Sequence, residues 1–132
     1  MTTTPFTVGM RLEKFLKTGP EHSARNFYPD LPDVFGTPYL VGLFEGVSAE
    51  LMSVHLNSEE QSVGISMNLK HMAPTPLGME VRATTEVTAI EGRKLTFKLE
   101  AFDEKEKIGE AVHERFIIIA AKFNQKVESK KS

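Results

Sequence analysis

Glu45 is the residue whose position most demands an explanation. It lies in an apolar run, Tyr39 to Val54, whose only ionisable members are Glu45 and Glu50. Ionising a carboxylate in such surroundings is costly without partners. Acids so placed concentrate at reactive sites but are not confined to them. A structural role, bonded to a backbone group or facing a gap at the helix surface, accounts for Glu45 equally well. Glu50 falls on a different side of the run and reads as a solvated or dimer-rim charge. His71 has the parity of Val63, Ile65, Met67 and Leu69, so an unbulged strand turns its ring toward the buried face. A lone strand-end histidine is commonly structural. An inward histidine facing a helix that carries Glu45 also suits general acid–base work, because imidazole and carboxylate orient each other. Thr37 precedes Pro38 and is explained as a helix N-cap. It equally places a hydroxyl at the positive end of a helix, where spare N–H groups can hold an anion or oxyanion. His113 and Arg115 share one face of a late strand, with Glu114 on the other; as a bare pattern this is a surface ion pair. No glycine-rich phosphate loop, GxSxG elbow or HExxH motif is present. The four histidines are dispersed and suggest no metal site.

These residues need a frame. Met10 to Lys17 reads as a first strand, ended by Gly19-Pro20. Glu21 to Phe35 mixes prolines, aromatics and polar residues, the composition of irregular chain that still packs. Thr37-Pro38 opens a helix carrying Leu40, Leu43, Phe44, Val47, Leu51 and Val54 at helical spacing, with His55 at its end. Its other faces are also apolar or small, which predicts a buried helix. Alternation then predicts strands: Val63, Ile65, Met67 and Leu69 inward in one; Val81, Ala83, Val87 and Ala89 in the next; Leu95, Phe97, Leu99 and Ala101 in a third. Glu91-Gly92 and Asp103 to Lys105 mark hairpin turns. A last strand, about Gly109 to Phe123, contains the apolar run Phe116 to Ala121 and belongs in the middle of the sheet. The expectation is an α+β fold: one long buried helix against about five antiparallel strands, in a single domain over residues 1–132, with 1–5 and 127–132 frayed. One helix fills only part of such a sheet, so a symmetric homodimer that buries both remainders is expected.

Composition narrows the functions. The chain has 132 residues and no cysteine, which removes disulfides, thiolate metal sites and cysteine nucleophiles. Sixteen basic against eighteen acidic residues give a net charge of −2, and with it no broad electrostatic reason to bind nucleic acid. No apolar stretch is long enough to span a membrane, and no signal peptide is read at the N-terminus, so the expected location is the cytoplasm.

Four runs carry a resemblance: Val34 to Glu45 (VFGTPYLVGLFE), Lys70 to Pro76 (KHMAPTP), the turn Glu91-Gly92-Arg93, and Val112 to Phe116 (VHERF). In this order and spacing they resemble the fluoroacetyl-CoA thioesterase-like branch of the hotdog-fold thioesterases, over about Val8 to Val127. The resemblance implies a hotdog fold, one long central helix wrapped by a five-stranded antiparallel sheet, paired as a dimer. It implies Thr37, Glu45 and His71 as catalytic, Gly64 and Arg115 as substrate-binding, no metal, and no cofactor beyond the CoA of the substrate. The fluoroacetyl-specific enzyme has an aromatic lid before the helix; here Asn26 to Asp33 looks shorter, so a related thioesterase is implied without a fixed acyl group. The expected activity is therefore hydrolysis of a small acyl-CoA thioester in a dimer-interface groove. The alternatives are a non-catalytic acyl-CoA binding protein and a hotdog hydratase or dehydratase.

Overall fold

The computed structural model describes residues 5–131. Five strands form one antiparallel sheet: β1 (Arg11–Lys17), β2 (Glu60–His71), β3 (Glu80–Glu91), β4 (Lys94–Phe102) and β5 (Lys107–Ile119). Their spatial order is β1-β3-β4-β5-β2. Helix α1 (Thr37–Ser53) lies against one face of this sheet, and a second helix, α2 (Ala120–Ser129), follows β5. This is the α+β arrangement expected, with one element more than the sequence suggested. Alternation sorts most of the core as read: Val81, Ala83, Val87, Leu95, Phe97, Leu99 and Ala101 are buried beneath Leu40, Leu43, Phe44 and Val47 of α1. Ala89, expected inward, lies beyond a register shift after Val87, and Ile90 packs on the core in its place. The β3–β4 turn is tight because Gly92 takes φ +61°, a backbone region open to glycine at little cost.

Six local expectations need correcting. The N-cap of α1 is Gly36, not Thr37. A side chain at 36 would collide with the Ala24 backbone, its Cβ only 2.9 Å from Ala24 Cα, so the crowded approach to the helix selects glycine. Thr37 becomes the first helical residue and its hydroxyl is released from capping. Nor is α1 buried all round: Gly42, Glu45, Gly46 and Ser53 are exposed, because one sheet covers only one side of a helix. On β2 the register against β5 shifts between Gly64 and Ser66. That bulge reverses the parity read from sequence for the residues before it and leaves that of Met67, Leu69 and His71 as read. Val63 pairs with the exposed Phe116, and Ile65 is itself exposed. Gly64 opposes the buried Arg115, whereas Met67 opposes the buried His113 and leads inward through Leu69 to His71. The inward set is thus Gly64, Met67, Leu69 and His71.

The last strand stops at Ile119 rather than continuing to Phe123. Ala120 N–H donates to Glu59 O at the limit of the sheet, and the following AAKFNQK has no β-branched residue and several good helix formers. Residues 127–129, expected to fray, close α2; residues 1–4 and 132 lie outside the described residues. Finally, α1 ends at Ser53 with Val54 as C-cap, and the His55 ring instead meets the edge of Phe6 at 5.5 Å. Glu50 is solvated as read, pairing with Lys14 at 2.8 Å.

Candidate active site

The residues singled out from sequence gather into two clusters on the same face of the sheet. The first lies where α1 begins and β2 ends. Phe35 N–H donates to Thr75 O, Val34 bridges Pro76, and Met72 N–H donates to Ile108 O. The first two of these contacts staple the segment before α1 to the loop after β2, and the third ties that loop to β5. Thr37 Oγ1 thereby sits 2.7 Å from His71 Nδ1. The Phe35 ring meets the imidazole edge-on at 6.3 Å. A cavity of about 270 Å³ opens here, lined by Phe35, Gly36, Thr37, His71, Met72 and Ala73 among others. His71 Nε2 is buried and has no hydrogen-bond partner among the described residues. Burial lowers the His71 pKa from its ordinary value, so the ring is neutral at pH 7.

The second cluster lies two turns along α1. The Glu45 side chain, 48% exposed, accepts from Arg115 Nη1 through Oε2 at 3.1 Å; the Arg115 side chain is only 6% exposed. The sequence reading of a buried Glu45 is thus half right: its partner is buried and the carboxylate itself faces outward. Its other oxygen, Oε1, makes no hydrogen bond to the described residues. Gly64 explains how the carboxylate fits. A Cβ at 64 would overlap Glu45 Oε2, closer than real Cβ contacts come, and would also lie 3.3 Å from His113 Cε1. Gly64 is therefore the floor on which Glu45 rests.

Arg115 is fully committed. Nε donates to Ser62 Oγ and Nη2 to Ser62 O, both at 3.0 Å, while Nη1 reaches Glu45. Burial pulls its pKa down and Glu45 opposes that pull. The sequence pattern of a surface ion pair at 113–115 is corrected here: His113 and Arg115 are 1% and 5% exposed. Only Glu114 sits on the outer face, with Ser66 and Lys94. Sequence reasoning passed over Ser62 and took His113 only as one half of that surface pair. The available signal was parity: Ala111 and Ile117 frame His113 and Arg115 on one side of β5, so two polar residues interrupt an otherwise apolar inward face.

One chain does not bring the clusters together. Thr37 and Glu45 are eight residues apart on α1, about 12 Å along the axis. The β2 edge beside them carries no strand partner among the described residues, and the exposed stripe of α1 lies next to it.

Comparison with known proteins bears on this geometry. Residues 19–121 match the model of the family described as fluoroacetyl-CoA-specific thioesterase, FlK. The fluoroacetyl-CoA thioesterase of Streptantibioticus cattleyicolor is 36% identical over 129 residues, covering 93% of each protein. The solved structure of a mutant of the fluoroacetyl-CoA-specific thioesterase in complex with fluoroacetate and CoA superposes with a TM-score of 0.84 at 34% identity, over 89% of this chain and 99% of that one. A hot-dog-like protein from Thermanaerovibrio acidaminovorans superposes at 0.90 with 20% identity, over 96% and 94% of the two chains, a likeness of fold alone.

Proposed function

The chain belongs to the fluoroacetyl-CoA-specific thioesterase family, and from that premise we propose that it hydrolyses a small acyl-CoA thioester to the free acid and CoA in a groove between two copies of itself. The observation that carries this reading is the Glu45 carboxylate: one oxygen fixed by Arg115 over Gly64, the other open to the surface. A purely structural acid at a half-exposed helix position would not require a buried arginine, a serine and a glycine to hold it.

The mechanism follows from the two clusters. Thr37, through its hydroxyl and its own N–H, faces the thioester carbonyl and stabilises the oxyanion that forms there; Pro38 has no N–H, and the Tyr39 and Leu40 N–H groups are spent on Gly36 O. Glu45 Oε1 either takes a proton from the attacking water or attacks the carbonyl carbon directly; both use the oxygen that Arg115 leaves free. The C–S bond then breaks. In the first case His71, neutral at rest, relays that proton from Glu45 to the departing CoA sulfur. In the second the thiolate leaves a Glu45 acyl anhydride, and His71 takes a proton from the water that hydrolyses it and passes that proton to the thiolate. No group beyond the CoA of the substrate is called upon.

A second copy supplies the missing proximity. Antiparallel pairing of two β2 edges across a two-fold axis runs each strand past the other in reverse. An axis midway between Gly64 and His71 sets each His71 opposite the partner's Gly64, and hence beside the partner's Glu45. It also covers the β2 edge and the exposed stripe of α1. For a cysteine-free enzyme working on CoA esters, we assign the dimer to the cytoplasm.

A free-thiol assay over a panel of short acyl-CoAs tests the proposal. Wild type releases CoA, and Glu45→Ala and His71→Ala each keep the dimer and lose about 10²- to 10⁴-fold in rate. Glu50→Gln, which removes only an exposed pair with Lys14, stays at the wild-type rate. Saturable binding of acyl-CoA without turnover would leave a binding protein in place of an enzyme, and full activity in Glu45→Ala would end the mechanism.

A further inference from the structure

We infer that His113 is a positioning residue for the thioesterase reaction: its neutral imidazole accepts from Arg115 and so aims the guanidinium that fixes Glu45. The inference rests on the reading of Glu45 as the reacting acid, and no other part of the proposed mechanism uses His113.

The tautomer follows from the neighbours. His113 Nδ1 lies 2.7 Å from Ser66 O. A carbonyl oxygen can only accept, so Nδ1 carries the proton. In the neutral ring Nε2 is then a bare lone pair, and the group facing it at 3.4 Å is Arg115 Nη1. The same Nη1 donates to Glu45 Oε2 at 3.1 Å. Three residues therefore supply acceptors to the Arg115 fork: Ser62 through Oγ and O, His113 through Nε2, and Glu45 through Oε2. The reversed tautomer would set N–H against N–H.

The β2 bulge makes this possible. The register shift between Gly64 and Ser66 leaves Ser66 O within reach of the His113 ring and puts Gly64, with no side chain, under the carboxylate. The Phe97 ring stands 6.1 Å from the imidazole, so packing holds the ring as well as bonding. An arginine has several rotamers, and a merely electrostatic pair with Glu45 would leave the carboxylate free to turn. Acceptors from three residues remove that freedom.

Positioning is separable from simple structural support. In His113→Leu the acceptor is lost while apolar bulk remains. We expect kcat to fall about 10- to 100-fold, the worth of one hydrogen bond to a charged group, with KM within about 3-fold of wild type. His113→Gln, whose amide oxygen can occupy the place of Nε2, recovers most of that loss. In a Glu45→Gln background, His113→Leu causes no further loss, because its effect passes through the carboxylate. Independently of turnover, ¹⁵N spectra of the wild-type imidazole show the Nδ1-protonated tautomer.

Equal rates in His113→Leu and wild type overturn the inference. So do equal losses in the Leu and Gln variants, a full additional loss in the Glu45→Gln background, or an Nε2-protonated ring. If His113→Leu fails to fold, the Gln variant and the tautomer decide. A wild type inert toward every acyl-CoA refutes the proposed function instead, and the tautomer still reports whether His113 holds Arg115.

Discussion

If the reaction needs Glu45 of one copy and His71 of another, two dead chains together make a live enzyme. The reasoning is metric. Glu45 is placed by Arg115 and Gly64, whereas His71 is placed by Thr37. Along α1 the two anchor points are about 12 Å apart. Along β2, Gly64 and His71 are separated by about 20 Å after allowing for the bulged residue. A reacting carbon must lie about 3–3.5 Å from the attacking group and within one hydrogen bond of the proton donor. No point in a single chain meets both conditions. In a two-fold dimer each groove takes its acid from one chain and its imidazole from the other. A heterodimer of Glu45→Ala and His71→Ala chains then holds one groove with both lesions and one with neither. It should run at about half the wild-type rate per dimer, while each parent homodimer is down by about 10²-fold or more. Two affinity tags and tandem purification isolate the heterodimer, and the free-thiol assay reads the rate. A heterodimer no more active than its parents, or a protein that stays monomeric at working concentration, would refute the shared groove.

Two further outcomes follow. Gly64 does not have a positive φ, so Gly64→Ala strains no backbone and the fold holds, its melting temperature equal to or slightly above wild type. The new Cβ occupies the space of Glu45 Oε2 and turns the carboxylate off Arg115; kcat should fall about 10- to 100-fold, and unchanged kcat would show that the orientation of Glu45 is irrelevant. The second outcome concerns pH and stability. Burial holds His71 and His113 below their ordinary value of 6.5 in the folded chain. Below 6.5 the unfolded chain therefore binds protons that the folded chain refuses, and stability rises with pH through that window. The contribution is whole above 6.5 and is lost as pH falls toward the folded values. Urea midpoints should drop from about pH 7.5 to about pH 5.5, and less in His71→Gln and His113→Gln chains. Glu100 and Glu110, lowered by bonding to Lys107, titrate below 4.5 and leave this window clear. A flat profile would contradict the buried, neutral state of both rings.

What the sequence made legible, and what it hid, divides along a physical line. Alternation and helical spacing report burial by the chain's own sheet, so β3, β4 and the core face of α1 could be read directly: Leu95, Phe97 and Leu99 alternate and are buried. The same logic found Glu45, because an acid in an apolar helix is conspicuous whatever covers it. It misjudged which way Glu45 faces. Composition marks the stripe of Gly42, Gly46 and Ala49 as non-polar without saying whether a sheet or a second chain lies over it. The bulge was hidden for a different reason. Its cause is a register shift on β2, and nothing in the local pattern Val63 to Leu69 records an extra residue. His71 was nonetheless assigned to the correct face, since Met67, Leu69 and His71 all follow the bulge and share its new parity. Gly64 precedes it; the resemblance marked it as substrate-binding, and its place under Glu45 emerged only from the register. His113 needed neither. Two polar side chains between Ala111 and Ile117 on an inward face cannot be a surface pair, and reading parity before charge would have joined Arg115 to a buried imidazole and led from there to Glu45.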